Sequence, residues 1–363
     1  MENLAMNPFS GTYRNRNVFL TGHTGFKGSW MAAWLQKLGA NVSGFALRPQ
    51  GSPNHWDMLG LDMSCTYADI RELQALQQAL LKAAPEIVFH LAAQALVRVS
   101  YAEPLSTWST NVLGTANLLE ACRNTPSVRA VVVVTTDKCY ENKEWWWGYR
   151  ETDSLGGHDP YGASKAAAEL VVQSYRRSFF QAPGSPLVAT ARAGNVVGGG
   201  DWSVDRLIPD LVRAVQTNGS LELRSPKATR PWQHVLESLS GYLLLGHKLL
   251  EGRHGFDEAW NFGPQDSLDR TVEWALGVLR REWPHLRWHV SDAEQPHEAS
   301  QLGLDSSKAR QRLGWVPVWS SDEGLERTAH WYRKYYEQGE VSTSGQIDTY
   351  VACAAAKNII WMV

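Results

Sequence analysis

Short apolar runs alternate with segments of helical spacing through the first half of the chain. The apolar runs predict buried strands at 17–21, 42–47, 65–68, 86–90, 129–135 and 187–192. Apolar positions at helical spacing between them predict helices over 29–38, 69–84, 105–123 and 161–180. The fifth run, RAVVVVT, is rich in β-branched residues, which is typical of a strand buried on both faces. This alternation favours an α/β fold with a doubly wound, Rossmann-type parallel sheet.

The pattern loosens after residue 193, where we expect a second, smaller lobe. Helical spacing predicts helices over 204–217 and 235–250, and a last strand is expected at 259–262. The sequence therefore predicts a dinucleotide-binding domain over 1–193, to which 234–263 return. Residues 194–363 are expected to form mainly the substrate-binding lobe.

Composition narrows the class of protein. The chain has 363 residues, of which 44% are apolar and 20% charged, as in an ordinary soluble enzyme. Its net charge of −2 gives no general attraction to nucleic acid or to an anionic membrane. No apolar run reaches the roughly 20 residues of a membrane span, and no signal-peptide core is found near Met1, so a cytoplasmic location is expected. The apolar stretch 351–363 is too short to span a membrane and is open to interpretation as a docking segment or a flexible end.

The four cysteines, Cys65, Cys122, Cys139 and Cys353, lack the spacing of metal ligands or of a disulfide framework. We therefore expect reduced thiols and no metal site. The absence of GxSxG and Walker-type loops makes acyl transfer and P-loop phosphoryl transfer poor candidates.

A glycine-rich turn follows the first predicted strand. Its residues are Gly22, His23, Thr24, Gly25, Phe26, Lys27 and Gly28. A turn of this kind between a strand and a helix exposes backbone N–H groups to a pyrophosphate, and glycine lets the cofactor approach the backbone. The turn predicts a dinucleotide site; the alternative is a tight turn without a ligand.

Further cofactor contacts are expected at the ends of the next strands. No acid follows the second strand, where NAD enzymes usually carry one for the ribose; Arg48 stands nearby and is either a ligand for a 2′-phosphate or a solvated loop residue. Asp69 and Ile70 are candidates for the adenine, although Asp69 is also a possible helix N-cap. Small residues end the fourth strand, and Leu91, Ala92 and Ala93 would let a flat cofactor lie close. For His90 we favour a packed, hydrogen-bonded role.

Two groups of proton-transfer residues carry the sharpest chemical signal. Tyr161 and Lys165 are four residues apart and share one face of a helix. An ammonium beside a phenol is expected to lower the phenol pKa, which makes Tyr161 a candidate base for an alcohol. Thr136 can hydrogen-bond the reacting hydroxyl, and Asp137 with Lys138 adds a second acid/base pair. The surplus over a simple alcohol oxidation suggests a reaction with a further step.

A second ligand is expected in the later part of the chain. Asn195 and Arg230 carry the amide and guanidinium donors that bind a pyrophosphate, and His234 lies close to Arg230. Gln94 and Arg206 complete the predicted substrate-binding residues. The alternative for these segments is a turn and a surface ion pair.

Together these motifs resemble the extended short-chain dehydrogenase/reductase family, from about Asn17 to Tyr336. The triplet 136–138, the segments EWWWGYRE and GGHDPY and the stretch FKGSW are similar to the CDP-glucose branch of its sugar-nucleotide 4,6-dehydratases. The resemblance implies NAD as cofactor, CDP-glucose as substrate and a homodimer or homotetramer paired through the helices near 105–123 and 161–180. It also implies a role in making deoxysugars for bacterial surface polysaccharide such as O-antigen.

The same resemblance assigns catalytic roles. Tyr161, with Thr136 and Lys165, would take the proton of the sugar 4-hydroxyl. Asp137 would protonate the departing 6-hydroxyl, and Lys138 would be the base at C5 by position. Lys138 stands where most such dehydratases have Glu, and a free Lys titrates near 10.4, so it needs burial or a nearby cation such as Lys165 to act as a base.

Three other functions stay open on sequence alone. A sugar-nucleotide 4-epimerase would not need Asp137 and Lys138, and a 4-reductase would consume NADPH, which Arg48 allows. A dinucleotide-binding regulator without activity would be expected to lose Tyr161 or Lys165, and this chain has both.

Overall fold

A parallel sheet of seven strands lies at the centre of the computed structural model, which describes residues 7–217, 219–223, 225–265, 270–290 and 301–362. The strands of the described chain are β1 (Asn17–Thr21), β2 (Asn41–Ala46), β3 (Ser64–Tyr67), β4 (Ile87–His90), β5 (Ala130–Val134), β6 (Leu187–Ala193), β7 (Val196–Val197), β8 (Leu221–Leu223), β9 (Gln233–His234), β10 (Ala259–Phe262) and β11 (Trp288–Val290). The sheet order is β3-β2-β1-β4-β5-β6-β10, and every neighbouring pair is parallel. The chain reverses its direction across the sheet between β3 and β4, so the switch point lies between β1 and β4, where ligands of such sheets bind.

Helices cover both faces of this sheet. They are α1 (Phe26–Lys37), α2 (His55–Leu59), α3 (Leu73–Ala83), α4 (Val97–Ala102), α5 (Pro104–Trp108), α6 (Gly114–Arg123), α7 (Pro160–Phe179), α8 (Leu207–Gln216), α9 (Val235–Leu250), α10 (Val272–Glu282), α11 (Ser321–Gln338) and α12 (Thr343–Ala356). One face packs in a core with α1, α9, α11 and α12, and the other packs with α3, α6 and α7. The predicted doubly wound α/β fold is confirmed.

The predicted elements agree closely with the observed ones where the apolar pattern is strong. The first strand, the helix at 235–250 and the strand at 259–262 have the predicted bounds. The last strand pairs with β6, with Ala259 beside Thr190. The division into two domains at residue 193 stays a prediction.

Two helix predictions need correction. The helix predicted from residue 69 begins at Leu73 with Glu72 as its N-cap, so the N-cap interpretation of Asp69 is wrong. The helix predicted over 105–123 contains a π-helical turn at Ser109–Leu113. Asn111 in that turn is buried, and its side chain bonds Ser164 of α7 at 2.8 Å. A polar anchor of this kind is not visible in the apolar spacing that predicted the helix.

The apolar C-terminal stretch belongs to the core. Trp361 is buried, and its ring stacks on Phe9 with centroids 5.0 Å apart and on Tyr350 at 5.9 Å. The interpretation as a flexible end is therefore wrong for residues 351–362. Over the described residues, no helix is long and apolar enough to cross a membrane.

Candidate active site

The glycine-rich turn joins β1 to α1 at the switch point of the sheet. Gly22 has a φ of +74°, and a Cβ there would lie 2.6 Å from the backbone N of Ala92. A Cβ on Gly28 would lie 2.0 Å from the carbonyl oxygen of Gly22. Gly25 is the N-cap of α1, so no side chain covers the N–H groups at this helix end. The turn therefore offers the close approach and the free donors that a dinucleotide pyrophosphate needs.

Two side chains of the turn face the protein. The His23 ring is buried in edge contact with Trp56, with centroids 4.7 Å apart. Burial lowers the pKa of His23 to about 4, so its ring is neutral. Thr24 Oγ1 donates to the carbonyl of Leu47 at 2.9 Å. These two residues can contribute backbone groups to a cofactor, while their side chains hold the turn against β2 and its neighbours.

The strand ends beyond β1 hold the candidate adenosine contacts. The Arg48 guanidinium lies 4.5 Å from the centre of the Tyr67 ring, on the surface. Asp69 forms an ion pair with Arg71 at 2.6 Å, and hydrogen bonds from Arg71 lower the pKa of that carboxyl. Ile70 is buried, and a Cβ on Gly114 would lie 2.7 Å from its Cγ2.

The end of β4 passes directly over the glycine turn. Leu91, Ala92 and Ala93 are partly exposed there, as a cofactor contact requires. His90 is buried and shares a hydrogen bond of 2.7 Å with Thr21, as the packed interpretation predicts. Gln94 uses its side-chain amide on Leu96 and Thr107, so it shapes this loop, and a contact with substrate would require these bonds to be exchanged.

The proton-transfer residues meet at the carboxyl end of β5. Thr136 Oγ1 donates to Asp137 Oδ1 at 3.0 Å, and Lys138 Nζ lies 3.8 Å from the same oxygen. Tyr161 stands in the first turn of α7, where Asp159 caps the helix and Pro160 occupies its start. Thr136 acts to lower the pKa of Tyr161, which places the two side chains close together. The sequence separation of 25 residues between Thr136 and Tyr161 is thus closed by the fold.

The electrostatics of Tyr161 differ from the sequence prediction. Burial raises the pKa of Tyr161 to about 12, although Thr136 and Arg206 act in the opposite direction. Lys165 donates to the carbonyl of Val134 at 3.0 Å, and burial lowers its pKa to about 8. The expected lowering of the Tyr161 pKa is therefore wrong for the protein alone, because burial outweighs the opposing effects of Thr136 and Arg206.

Lys27 is the residue of the glycine turn that reaches this chemistry. Its Nζ lies 3.4 Å from the Tyr242 hydroxyl of α9. The pKa of Lys27 is lowered to about 7, mainly by burial and next by repulsion from Arg206. Repulsion from Lys165 and Lys138 lowers it further. Asp137 acts in the opposite direction, so its carboxylate lies within electrostatic reach. Sequence reasoning placed Lys27 at the cofactor phosphates and missed this neighbourhood.

The predicted substrate residues converge from the second half of the chain. A Cβ on Gly194 would lie 2.7 Å from Asp137 Oδ2 and 2.5 Å from Pro231 Cγ, so the backbone at Gly194 lies against both the Asp137 carboxylate and the Pro231 loop. The backbone of Asn195 accepts from Gln233 at 3.1 Å, which ties these loops together. Oδ1 of Asn195 is buried without a hydrogen-bond partner in the described part of the chain.

Three further predicted residues are placed by hydrogen bonds. Arg206 pairs with Asp201 at 2.9 Å and acts to lower the pKa of Tyr161, so its charge lies near that phenol. Arg230 is buried and donates to the carbonyl of Thr229 at 2.8 Å. His234 is fully buried, and its Nδ1 accepts from the backbone of Leu236 at the start of α9. The His234 side chain is therefore a helix cap, and a direct substrate contact would require it to turn.

A buried ion pair that sequence reasoning missed supports the site from below. Glu169 lies one helical turn after Lys165, and its carboxylate pairs with Arg192 of β6 at 2.8 Å. Burial alone would raise the pKa of Glu169, but Arg192 and the hydroxyls of Thr135 and Thr190 hold it below its usual value. The spacing of four residues places Glu169 on the same helix face as Lys165, but it does not identify the partner on another strand, Arg192.

The tryptophan run between the two catalytic segments divides into two parts. Trp145 packs on Tyr149 with ring centroids 5.1 Å apart. Trp146 and Trp147 are exposed, at 80% and 58% of their surface. Trp145 therefore packs against the protein, whereas Trp146 and Trp147 leave most of their surface open.

Comparison with known proteins identifies the family. The model of the GDP-mannose 4,6-dehydratase family matches residues 19–328, which is most of the chain. This chain belongs to that family. The match covers the glycine turn, the proton-transfer residues and the second-ligand loops of this dehydratase-family chain.

Relatives within and near the family agree with the predicted branch. The chain is 45% identical to CDP-glucose 4,6-dehydratase of Salmonella typhimurium over 89% of its own length and 92% of that protein. It is 28% identical to dTDP-D-glucose 4,6-dehydratase of Dictyostelium discoideum, over 88% of this chain and 82% of the relative. The resemblance to the CDP-glucose branch is confirmed.

Solved structures agree with the fold. DesIV, a dTDP-glucose 4,6-dehydratase from Streptomyces venezuelae solved with NAD, has a TM-score of 0.75 and 27% identity, covering 88% of this chain and 98% of that one. A UDP-glucose 4-epimerase of Thermotoga maritima has a TM-score of 0.76 at 22% identity, covering 88% of this chain and 99% of that one, and shows the fold alone.

Proposed function

We propose that this protein is an NAD-dependent CDP-glucose 4,6-dehydratase that forms CDP-4-keto-6-deoxyglucose and water. The observation that carries the proposal is the meeting of two proton-transfer groups at the end of β5. Tyr161, Thr136 and Lys165 suit oxidation of an alcohol, and Asp137 with Lys138 suits a following elimination. The similarity to the Salmonella CDP-glucose enzyme supports the choice of nucleotide.

The glycine turn fits the cofactor. Gly22, Gly25 and Gly28 leave the space and the backbone donors that a pyrophosphate requires, and the end of β4 leaves a flat, small-residue surface beside it. When bound at the turn of Gly22, Gly25 and Gly28, NAD would supply the hydride acceptor for C4 of the sugar and the hydride donor for C6. Its regeneration within the cycle means that the cofactor must stay bound.

The protein side chains handle the protons. Tyr161 receives the proton of the 4-hydroxyl, and Lys165, one helical turn later, holds the carbonyl of Val134 at the end of β5. The 4-ketone acidifies the C5 proton, which a base removes. Asp137 protonates the 6-oxygen as the C6–O bond breaks, and water leaves.

Two lysines compete for the role of base at C5. Lys138 is the base by position, and about a third of its side chain is exposed, so it is only partly desolvated. Lys27 is held among three cations, and its pKa of about 7 suits proton transfer at neutral pH. We favour Lys138 for its place beside Asp137, with Lys27 as the residue that the experiment must exclude.

The reaction is tested by incubating the protein with CDP-glucose and a catalytic amount of NAD. We expect a 4-keto-6-deoxy product and no net change in NAD. Net consumption of NADPH would indicate a reductase, a C4 epimer would indicate an epimerase, and no turnover of any sugar nucleotide would contradict an enzymatic function.

The base is tested by solvent deuterium at C5 of the product. With Lys138→Ala we expect incorporation to slow by about 10²-fold or more, because the proton acceptor is gone. Lys27→Met is the matched variant, since it removes the second ammonium at similar volume. If Lys138→Ala kept the wild-type rate and Lys27→Met lost it, the base would be Lys27.

We further propose a homodimer paired through α5, α6 and α7, with a homotetramer as the larger possibility. Large apolar side chains are exposed on α4, α5 and α7, including Tyr101 at 61% and Leu105 at 83%. Leu113 and Leu170 are also exposed. Pairing such faces across a two-fold axis would cover them. Sedimentation at micromolar concentration is expected to give at least a dimer, and Leu105→Glu to shift it toward the monomer.

The biological setting stays a prediction. A cytoplasmic location and a role in deoxysugars for surface polysaccharide follow from the resemblance to the CDP-glucose branch.

A further inference from the structure

The helix α12 lies against α1, the helix that begins at the glycine turn. Trp34 of α1 meets Tyr350 of α12 in an edge contact with ring centroids 5.5 Å apart, and Lys37 pairs with Asp348 at 2.7 Å. The family match ends at residue 328, so α12 lies beyond it. The contact between the two helices therefore joins the cofactor turn to a part of the chain outside the match.

A chain of four hydrogen bonds runs from this contact to the glycine turn. Trp331 Nε1 of α11 lies 3.0 Å from Thr343 Oγ1 of α12, and that oxygen lies 2.7 Å from His55 Nε2. His55 Nδ1 lies 2.7 Å from Ser29 Oγ, which donates to the carbonyl of Phe26 at 2.9 Å. Phe26 is the first residue of α1 and belongs to the glycine turn. The chain therefore joins α11 and α12 to the cofactor turn through α2.

The donors of this chain give it one direction. Ser29 has one hydroxyl proton and gives it to Phe26, so His55 Nδ1 donates to Ser29. Burial lowers the pKa of His55 to about 3, so the ring is neutral and its Nε2 accepts from Thr343. The Thr343 oxygen in turn accepts from the Trp331 indole, which is a donor only. Each group is thus satisfied by the next, and removal of one leaves buried neighbours without their partners.

Packing restricts the His55 ring on several sides. It contacts the rings of Trp30 and Trp331, with centroids 5.4 and 5.7 Å away. A Cβ on Gly200 would lie 2.5 Å from His55 Cδ2, so the loop after β7 lies against another edge of the ring. A ring packed in this way has little freedom to turn toward a new partner. Loss of a bond at His55 is therefore passed on to Ser29 and the glycine turn.

We propose that α12 is a brace for the glycine turn and that the chain through His55 slows the release of NAD, an inference that rests on the function proposed above. In that reaction the cofactor must stay bound from the oxidation at C4 to the reduction at C6, since early release would leave an oxidised sugar without its hydride. Ser29 also donates its backbone N–H to the carbonyl of Gly25 at 2.8 Å. Its position thus fixes two carbonyls of the turn that faces the pyrophosphate. Thr343, His55 and Ser29 are positioning residues in this brace.

The brace is tested with Thr343→Val, which keeps the shape of the side chain but removes the hydroxyl, and with Thr343→Ser, which restores it. Release of the dinucleotide is followed by chasing bound NADH, which is fluorescent, with excess NAD. We expect release to be about tenfold faster from Thr343→Val, because two buried groups lose their partners, and nearly normal from Thr343→Ser. With NAD at saturation, kcat for CDP-glucose should stay within about twofold of the wild type, since no group at the reacting atoms is changed.

A matched variant separates the brace from a general loss of stability. Thr328 of α11 is also fully buried, but its hydroxyl donates to the carbonyl of Gly324 on its own helix. Thr328→Val should lower the thermal unfolding temperature about as much as Thr343→Val and leave the release of NADH at the wild-type rate. Release from Thr343→Val that is no faster than from Thr328→Val would overturn the brace.

Ser29→Ala cuts the same chain at its other end and replaces Thr343→Val if that variant does not fold. The double variant should release NADH about as fast as Ser29→Ala alone, because the path to the turn is already broken. Effects of the two changes that multiply, or wild-type release from Ser29→Ala, would overturn a continuous chain. Absence of 4-keto product from the wild type would instead overturn the proposed function, and the release rates would still be measurable.

Discussion

Two buried acids show how differently this protein uses a carboxylate. Asp137 lies at the end of β5, where Oδ1 meets Thr136 and Oδ2 is buried without a partner among the residues described. Glu237 lies in α9 and accepts from the backbone of Val318 and Trp319 at 2.9 and 2.8 Å. The hydroxyl of Tyr350 donates to it as well, at 2.8 Å.

The difference separates chemistry from structure. The Glu237 carboxylate accepts three hydrogen bonds from two segments, the loop at Val318 and Trp319 and the helix of Tyr350, and so joins α9 to the C-terminal part of the chain. Oδ2 of Asp137 has no hydrogen-bond partner among the described residues, and Lys138 and Lys27 lie near the carboxylate. A group that exchanges protons with a substrate needs such an open position. An open buried acid therefore marks the site, and a satisfied one marks the framework.

The largest expected effect comes from a substitution in the region around the open carboxylate of Asp137. Tyr161→Phe removes the hydroxyl that receives the substrate proton, so kcat should fall by about 10²–10⁴-fold. Thermal unfolding should change little, because the aromatic ring is retained. A variant with nearly normal kcat would show that proton transfer does not pass through Tyr161.

Glu169→Gln tests a closed carboxylate directly beneath the site. It leaves the Arg192 guanidinium buried without its counter-charge, which typically costs about 3–5 kcal/mol of unfolding free energy. Urea unfolding measures this loss. Arg177→Ala, on the same helix, is the matched surface control, with an expected change of less than about 0.5 kcal/mol.

Glu237→Gln sharpens the comparison through pH. Burial raises the pKa of Glu237 from 4.5 to about 7, so the folded state binds its proton more tightly than the unfolded state. Stability from this group is complete below pH 4.5 and is lost as pH rises through about 7. The shift corresponds to about 3 kcal/mol. The slope of unfolding free energy against pH should flatten in the variant; an unchanged slope would contradict the assignment.

Arg48→Ala gives the smallest expected effect and tests the predicted contact with the adenosine part of the cofactor. Arg48 lies on the surface against Tyr67, where a 2′-phosphate is one of its two interpretations. If it binds such a phosphate, the Kd for NADP should rise by about tenfold, or roughly 1.4 kcal/mol, while that for NAD stays nearly constant. Equal changes for both cofactors would favour a general role in the loop.

Local signals made much of the fold and the site predictable. The glycine turn, the apolar strands and the spacing of Tyr161 and Lys165 are readable because each depends on neighbours within a few residues. The position of Lys27 near Asp137 spans a sequence separation of 110 residues and depends on the order of strands in the sheet. The pKa of Tyr161 was predicted in the wrong direction because burial, which the sequence does not report, outweighs a nearby charge.

The sequence by itself determined the alternation of strands and helices, the dinucleotide turn and the residue types for oxidation and elimination, since these follow from periodicity and local spacing. Only the tertiary structure decided which acids stay open and which are closed by distant donors. It also brought Thr136 and Asp137 close to Tyr161, because the end of β5 and the start of α7 meet at the same edge of the sheet. Burial and proximity are properties of the packed chain, and they bring reactive residues that are distant in the sequence into one site.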